Sequence, residues 1–181
     1  RLPLGATGLD TVCDAFLDAV DMRLSQPQRC DFPPTRRLAR QAAASIARAG
    51  AVVSYEEAIR ITEDLLPGRP YSKSLLRGLL DEGVLVRAGR DVIVFAYQRL
   101  GDYLRASTLL NEGSPTIDEW IASLGKDDWR ERGTVEALSA LLPEFQDREL
   151  IDVCQDEDGL VTTDIINAFI ESLAIRAPEA C

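Results

Sequence analysis

The sequence predicts a mainly α-helical chain in which a helix-turn-helix is closed by a small β-hairpin wing and followed by an α-helical, repeat-like layer. Three observations carry this expectation. Over Leu75–Leu110 the apolar residues run at helical spacing, switch to a β-branched hairpin pattern and return to helical spacing. Upstream of that stretch lie two amphipathic segments separated by a short β-branched run. Beyond residue 115 only helical periodicities recur.

Within the central stretch, Leu75, Leu76, Leu79 and Leu80 define one helical face, and Gly83 ends the helix. Val84–Arg87 and Asp91–Phe95 have the β-branched and aromatic character of paired strands, with Ala88, Gly89 and Arg90 at the turn. Leu100, Tyr103, Leu104 and Ser107 then resume helical spacing in a helix predicted over Gln98–Asn111.

The elements before it follow in order. Residues 9–24 place Val12, Phe16, Leu17 and Val20 on one helical face and Asp10, Asp14, Asp18 and Asp21 on a solvated opposite side. The proline-rich run Ser25–Pro34 reads as a connector, so residues 1–34 are an N-terminal helix and linker. Residues 35–49 form a helix with Leu38, Ala42, Ile46 and Ala49 inward, stopped by Gly50. Its outer side carries Arg36, Arg37, Arg40 and Arg48, read as a flank that offsets nearby acids rather than as a phosphate contact. A short strand is expected at Ala51–Val53. Ser54 with Glu57 then forms a capping box for a helix whose apolar face is Ala58, Ile59, Thr62, Leu65 and Leu66. The third helix is predicted over Ser72–Glu82. Helix, strand, helix, turn, helix and two-stranded wing is the winged-helix order, and it assigns residues 35–112 to one domain.

Residues 113–181 read as a helical region. Ile117, Trp120, Ile121 and Leu124 form one face, closed by Gly125, and Val135, Leu138, Leu141, Leu142 and Phe145 form a second that Pro143 kinks or ends. Leu150, Ile151 and Val153 make a shorter piece. A last helix capped by Thr163 is expected to turn Ile165, Ile166, Phe169, Ile170 and Leu173 inward. No period is regular enough to name a repeat.

Bulk properties bound the function. Hydrophobic residues at 46% and charged residues at 28% suit a chain of 181 residues that buries a core. A formal net charge of -10 opposes nucleic acid as the main partner, because phosphates meet a repulsive field. Cys13, Cys30, Cys154 and Cys181 are scattered, without metal-ligand or redox spacing and with no histidine to complete a mixed site. Cys13 and Cys154 fall within apolar periodicity and Cys30 in a loop, the usage of a reduced, cytoplasmic protein. No apolar run is long enough to span a membrane. The start on Arg1 suggests a piece of a longer protein.

No motif for chemistry emerges. There is no phosphate-cradling G-x-x-x-x-G-K-[ST], no G-x-G-x-x-G and no G-x-S-x-G, and triads that need histidine cannot form. The acidic turn Asp156–Gly159 fails as a calcium loop, because the first and twelfth positions would be Cys154 and Ile165. The chain is therefore expected to be non-catalytic. A DNA-binding version of the fold would present the third helix to the major groove, with Lys73, Arg77, Arg87 and Arg90 as candidate contacts. Arg77 is spaced to pair with Asp81 instead.

Phe95-Ala96-Tyr97-Gln98-Arg99-Leu100-Gly101-Asp102-Tyr103-Leu104-Arg105-Ala106 resembles the end of the winged helix in bacterial NACHT-like STAND NTPases, a class that includes antiviral defence ATPases. The match covers Phe95, Leu100, Asp102, Tyr103, Leu104 and Ala106, and later helical segments extend it over about residues 35–181. The resemblance implies a regulatory piece without its own cofactor. Nucleotide (ATP or ADP) would belong to an upstream domain, and the partners would be the parent's own nucleotide-binding and sensor domains. It also implies that Tyr97, at the position where many relatives carry a nucleotide-contacting histidine, is the candidate nucleotide sensor. The alternatives are a DNA-binding transcriptional regulator and a protein–protein adaptor.

Overall fold

The computed structural model describes residues 8–112, 116–123, 131–146, 149–153 and 163–174. The chain is mainly helical with one small three-stranded antiparallel sheet. It divides into two compact units, Cys13–Gly101 and the described residues of 8–12 with those from Asp102 onward.

The first unit is built from α1 (Leu9–Leu24, from Cys13 on), α2 (Leu38–Ala49), β1 (Val53–Ser54), α3 (Tyr55–Leu65), α4 (Leu75–Asp81), β2 (Leu85–Arg87) and β3 (Val92–Phe95). The first turn of α5 (Gln98–Glu112) completes it. The strands stand in the order β1-β3-β2, so β3 is central. Leu85 faces Phe95, Arg87 faces Ile93, and Val53 also faces Ile93. Leu85, Ile93 and Phe95 alternate inward along the ladder, as a sheet with one buried face requires.

Local chemistry explains the boundaries. Ser54 Oγ accepts from the Glu57 amide at 3.1 Å, which starts α3 as expected. Glu57 does not close the reciprocal half of the box, because its carboxylate takes the Arg60 guanidinium at 2.5 Å. The predicted third helix is shorter than read. Tyr71–Lys73 is a separate 3-10 turn, and Ser74 caps α4 by accepting from the Arg77 amide at 3.2 Å. Gly83 ends this segment at φ 68, the left-handed region that only glycine enters without strain. The strands begin and end within a residue or two of the predicted runs, β1 being shifted to Val53–Ser54.

Two burial expectations fail here. Ala49 is exposed, while Ala39, Ala43 and Ala47 are buried, so α2 is covered on a broader face than one stripe. Asp21 is 2% exposed rather than solvated. Its two carboxylate oxygens accept from the Ala39 amide at 2.7 Å and the Arg40 amide at 3.2 Å. An acid from α1 thus satisfies the open N–H groups of α2, whose preceding residue Arg37 is left-handed at φ 48 and offers no side-chain cap. Arg40 returns the interaction, pairing with Asp14 at 2.5 Å and Asp18 at 3.3 Å. The basic flank of α2 does offset nearby acids.

The second unit holds the rest of α5, α6 (Thr116–Ser123), α7 (Arg132–Gln146), α8 (Leu150–Val153) and α9 (Thr163–Ser172). Leu138, Leu141, Leu142, Ile117 and Leu150 are buried as expected, whereas Val135, Trp120, Ile121 and Ile151 are half-buried. Pro143 lies inside α7 and does not end it. The inward face predicted for α9 is wrong for three residues: Ile166, Ile170 and Leu173 are exposed, and Ala168 and Ser172 are buried. The Ser172 and Ser139 hydroxyls meet at 3.0 Å, so α9 turns its small residues toward α7. Close approach of two backbones favours that side over the bulkier isoleucines. Leu124, Gly125, Cys154, the acidic turn Asp156–Gly159 and Cys181, with the side chains of Phe145, Val153, Thr163 and Ile165, lie outside the described residues.

Candidate functional site

The segment from Phe95 to Ala106 divides between the two units, and each half has its own geometry. In the first unit, β3 delivers Phe95 into the core at 9% exposure, and α5 begins three residues later. The ring of Phe95 lies against Gly101. A methyl group built on that glycine would come within 2.7 Å of the Phe95 ring. Glycine is therefore demanded at 101 by the aromatic that precedes it. Leu100 is buried beside it.

Tyr97 is 65% exposed in the short connection between β3 and α5. Its ring makes an edge contact with Phe16, the centroids 6.4 Å apart at 82°. That contact orients the ring through α1 and leaves most of the side chain in water.

In the second unit, Asp102, Tyr103, Leu104 and Ala106 are all buried. Asp102 accepts from the Thr134 hydroxyl at 3.4 Å, and its carboxylate fills the space beside Gly133 that any larger residue would need. Arg105 donates to Glu131 at 2.7 Å and to Thr134 at 3.4 Å. These contacts tie α5 to the start of α7. Sequence periodicity suggested an apolar helix here. The polar tie of Asp102 and Arg105 to Glu131, Thr134 and Gly133 carries no signal in the spacing, because it joins residues about thirty positions apart.

The four candidate DNA contacts are spread over separate tasks. Lys73 lies in the 3-10 turn before α4 and donates to the Pro27 carbonyl at 2.9 Å. Arg77 pairs with Asp81 at 2.9 Å, as its spacing indicated, and lies over the Tyr71 ring at 6.0 Å. Glu82 is held by Arg23 at 2.5 Å and Arg29 at 2.9 Å. Arg87 stacks on the Tyr55 ring at 4.2 Å, and its guanidinium reaches the Arg90 carbonyl at 3.0 Å. The two phenols influence one another: the neighbouring Tyr71 holds the Tyr55 phenol above its ordinary range, and Tyr55 holds the Tyr71 phenol below it. Sequence reading did not single out either tyrosine, since neither lies on an apolar stripe.

Buried titratable groups have structural settings. Burial raises the Asp21 carboxyl, against the two amides that favour its charged form. Burial likewise raises the Cys30 thiol, whose Sγ faces the Ser74 carbonyl at 3.5 Å. Cys13 and Cys30 are both buried. Among the described residues, no group of three cysteine, aspartate or glutamate side chains is placed to hold a metal ion. No described helix is long and apolar enough to cross a membrane. Comparison with family models, characterised proteins and solved structures finds no match.

Proposed function

We propose that this chain is a non-catalytic regulatory piece of a STAND-type signalling ATPase, in which a winged helix couples a nucleotide-binding domain to a helical sensor region. The order α2-β1-α3-α4-β2-β3 with β3 in the centre of the sheet supports the winged-helix reading. The observation that carries the functional reading is the seating of Phe95 on Gly101. It locks the hairpin to the first turn of α5, so that the wing and this turn respond as one body. A rigid piece of this kind suits a two-state switch, packing on a nucleotide domain in one state and released in the other. Tyr97, exposed beside that lock, can offer a phenol to a nucleotide or to the neighbouring domain. It has no charge with which to hold a diphosphate, so the role assigned to it is hydrogen bonding.

The test is twofold. The reading frame upstream of Arg1 is expected to encode a G-x-x-x-x-G-K-[ST] phosphate loop, and the purified chain alone is expected to show no ATP turnover. Measurable turnover by the chain, or a parent without any nucleotide-binding motif, removes this reading.

A further inference from the structure

The arginines of the first unit are mostly matched to acids. Arg23 and Arg29 share Glu82, Arg37 and Arg40 meet Asp14 and Asp18, Arg60 meets Glu57 and Asp64, and Arg69 meets Asp31. Among the described residues Arg36 and Lys73 instead donate to backbone carbonyls, and the two arginines of the hairpin stand close together in sequence. Among the described residues, neither Arg87 nor Arg90 forms an ion pair, although the whole chain carries a net charge of -10. Arg87 is nevertheless held in place: its guanidinium lies 4.2 Å from the centre of the Tyr55 ring and is hydrogen-bonded to the Arg90 carbonyl. Next to it, Tyr71 is half-exposed and carries Arg77 over its ring. Two cation–aromatic pairs thus lie side by side, Tyr55 of α3 with Arg87 of β2, and Tyr71 of the 3-10 turn with Arg77 of α4.

We propose that Arg87 and Arg90, with the Tyr55 and Tyr71 rings beside them, form a docking surface for a short acidic polypeptide segment, Arg77 being taken up by Asp81. Tyrosine and arginine are the residues that most often carry binding energy at protein interfaces. A guanidinium already fixed on an aromatic face loses little freedom when it takes a carboxylate, and stacking leaves its N–H edge available. Charge complementarity selects an acidic partner, because Arg87 and Arg90 are a local positive feature, without ion pairs, on an acidic chain. The same surroundings disfavour nucleic acid. Asp81 already occupies Arg77, Asp91 follows Arg90, Glu56 follows Tyr55, and the field of the whole molecule repels a polyanion. A short acidic segment needs only the local donors; a duplex must lay many phosphates along the surface. This surface stands independently of the switch reading above.

The experiment is an array of short random-sequence peptides probed with the full chain and with Arg87→Gln and Arg90→Gln. A fluorescent duplex is titrated in parallel, and Arg60→Gln serves as a control at an exposed, paired arginine. The expected result is that bound peptides are enriched in Asp and Glu, and that Arg87→Gln weakens them about tenfold while Arg60→Gln does not. All three positions are exposed, and circular dichroism checks that each variant keeps the fold. No enrichment in acidic peptides, equal binding by Arg87→Gln, or tighter binding to the duplex than to any peptide each overturns the proposal.

Discussion

At the residue scale, Asp21 is the side chain whose environment departs furthest from its place in the sequence pattern. It follows Asp10, Asp14 and Asp18 on a helix that looks simply amphipathic, yet it is buried and bonded to two amides of another helix. Replacing it with alanine leaves those amides unpaired and is expected to cost about 1–3 kcal/mol, read by urea denaturation. The pH dependence has a definite sign. Burial raises the folded-state carboxyl above its ordinary 3.8, so the folded form holds a proton that the unfolded chain releases. The stability linked to this proton is fully present below 3.8 and is lost as pH rises through the folded value. The gap between wild type and Asp21→Ala is therefore expected to widen as pH falls toward 3.8, and denaturation series across that window would expose a narrowing. Nothing in the spacing of four aspartates says which one is buried; that depends on where the N-terminus of α2 arrives.

At the scale of elements, the hairpin and α5 were legible as types and in order, because β-branched alternation and helical periodicity are local signals. What joins them was not. Gly101 looks like an unfavourable residue in the first turns of a helix, costing up to about 1 kcal/mol relative to alanine. The position of Phe95 reverses that expectation. Gly101→Ala should destabilise the chain by about 1–3 kcal/mol, since the added methyl meets the Phe95 ring. The double variant with Phe95→Leu should recover part of the loss, and a thermal melt of the two proteins separates this clash from a simple propensity effect. An increase in melting temperature for the single variant would show that the ring moves aside freely. In α9 the same local reasoning misled, because helical spacing shows that one face is apolar but not whether a neighbour covers it. Ser139 and Ser172 decided which side packs.

At the scale of the whole molecule, charge is the property read most directly from composition. A chain of net charge -10, with Lys73 and Arg77 engaged elsewhere, is expected to give no electrophoretic shift on random duplex DNA at physiological salt. A tight complex that weakens steeply with added salt would instead favour a DNA-reading role for α4 and the hairpin. The division into Cys13–Gly101 and a second unit from Asp102 falls inside α5, directly after Gly101, where the helix runs on without a break and no proline or charge run marks a boundary. Sequence punctuation put a break at the proline-rich connector 25–34. The structure carries the first unit back through that connector to Cys13, because Asp21, Arg23 and Leu24 of α1 contact α2 and α4.

Element type, strand order along the chain, the caps at Ser54 and the stop at Gly83 follow from short-range sterics and hydrogen bonding, which a sequence displays within a turn or two. Net charge is a sum over residues and needs no coordinates. The burial of Asp21, the fit of Phe95 on Gly101, the Asp102–Thr134 tie and the stacking of Arg87 on Tyr55 join residues that are distant in sequence or whose partners cannot be ranked by spacing. Only the folded chain decides them, because each depends on which surface arrives opposite which, and packing selects that pairing collectively.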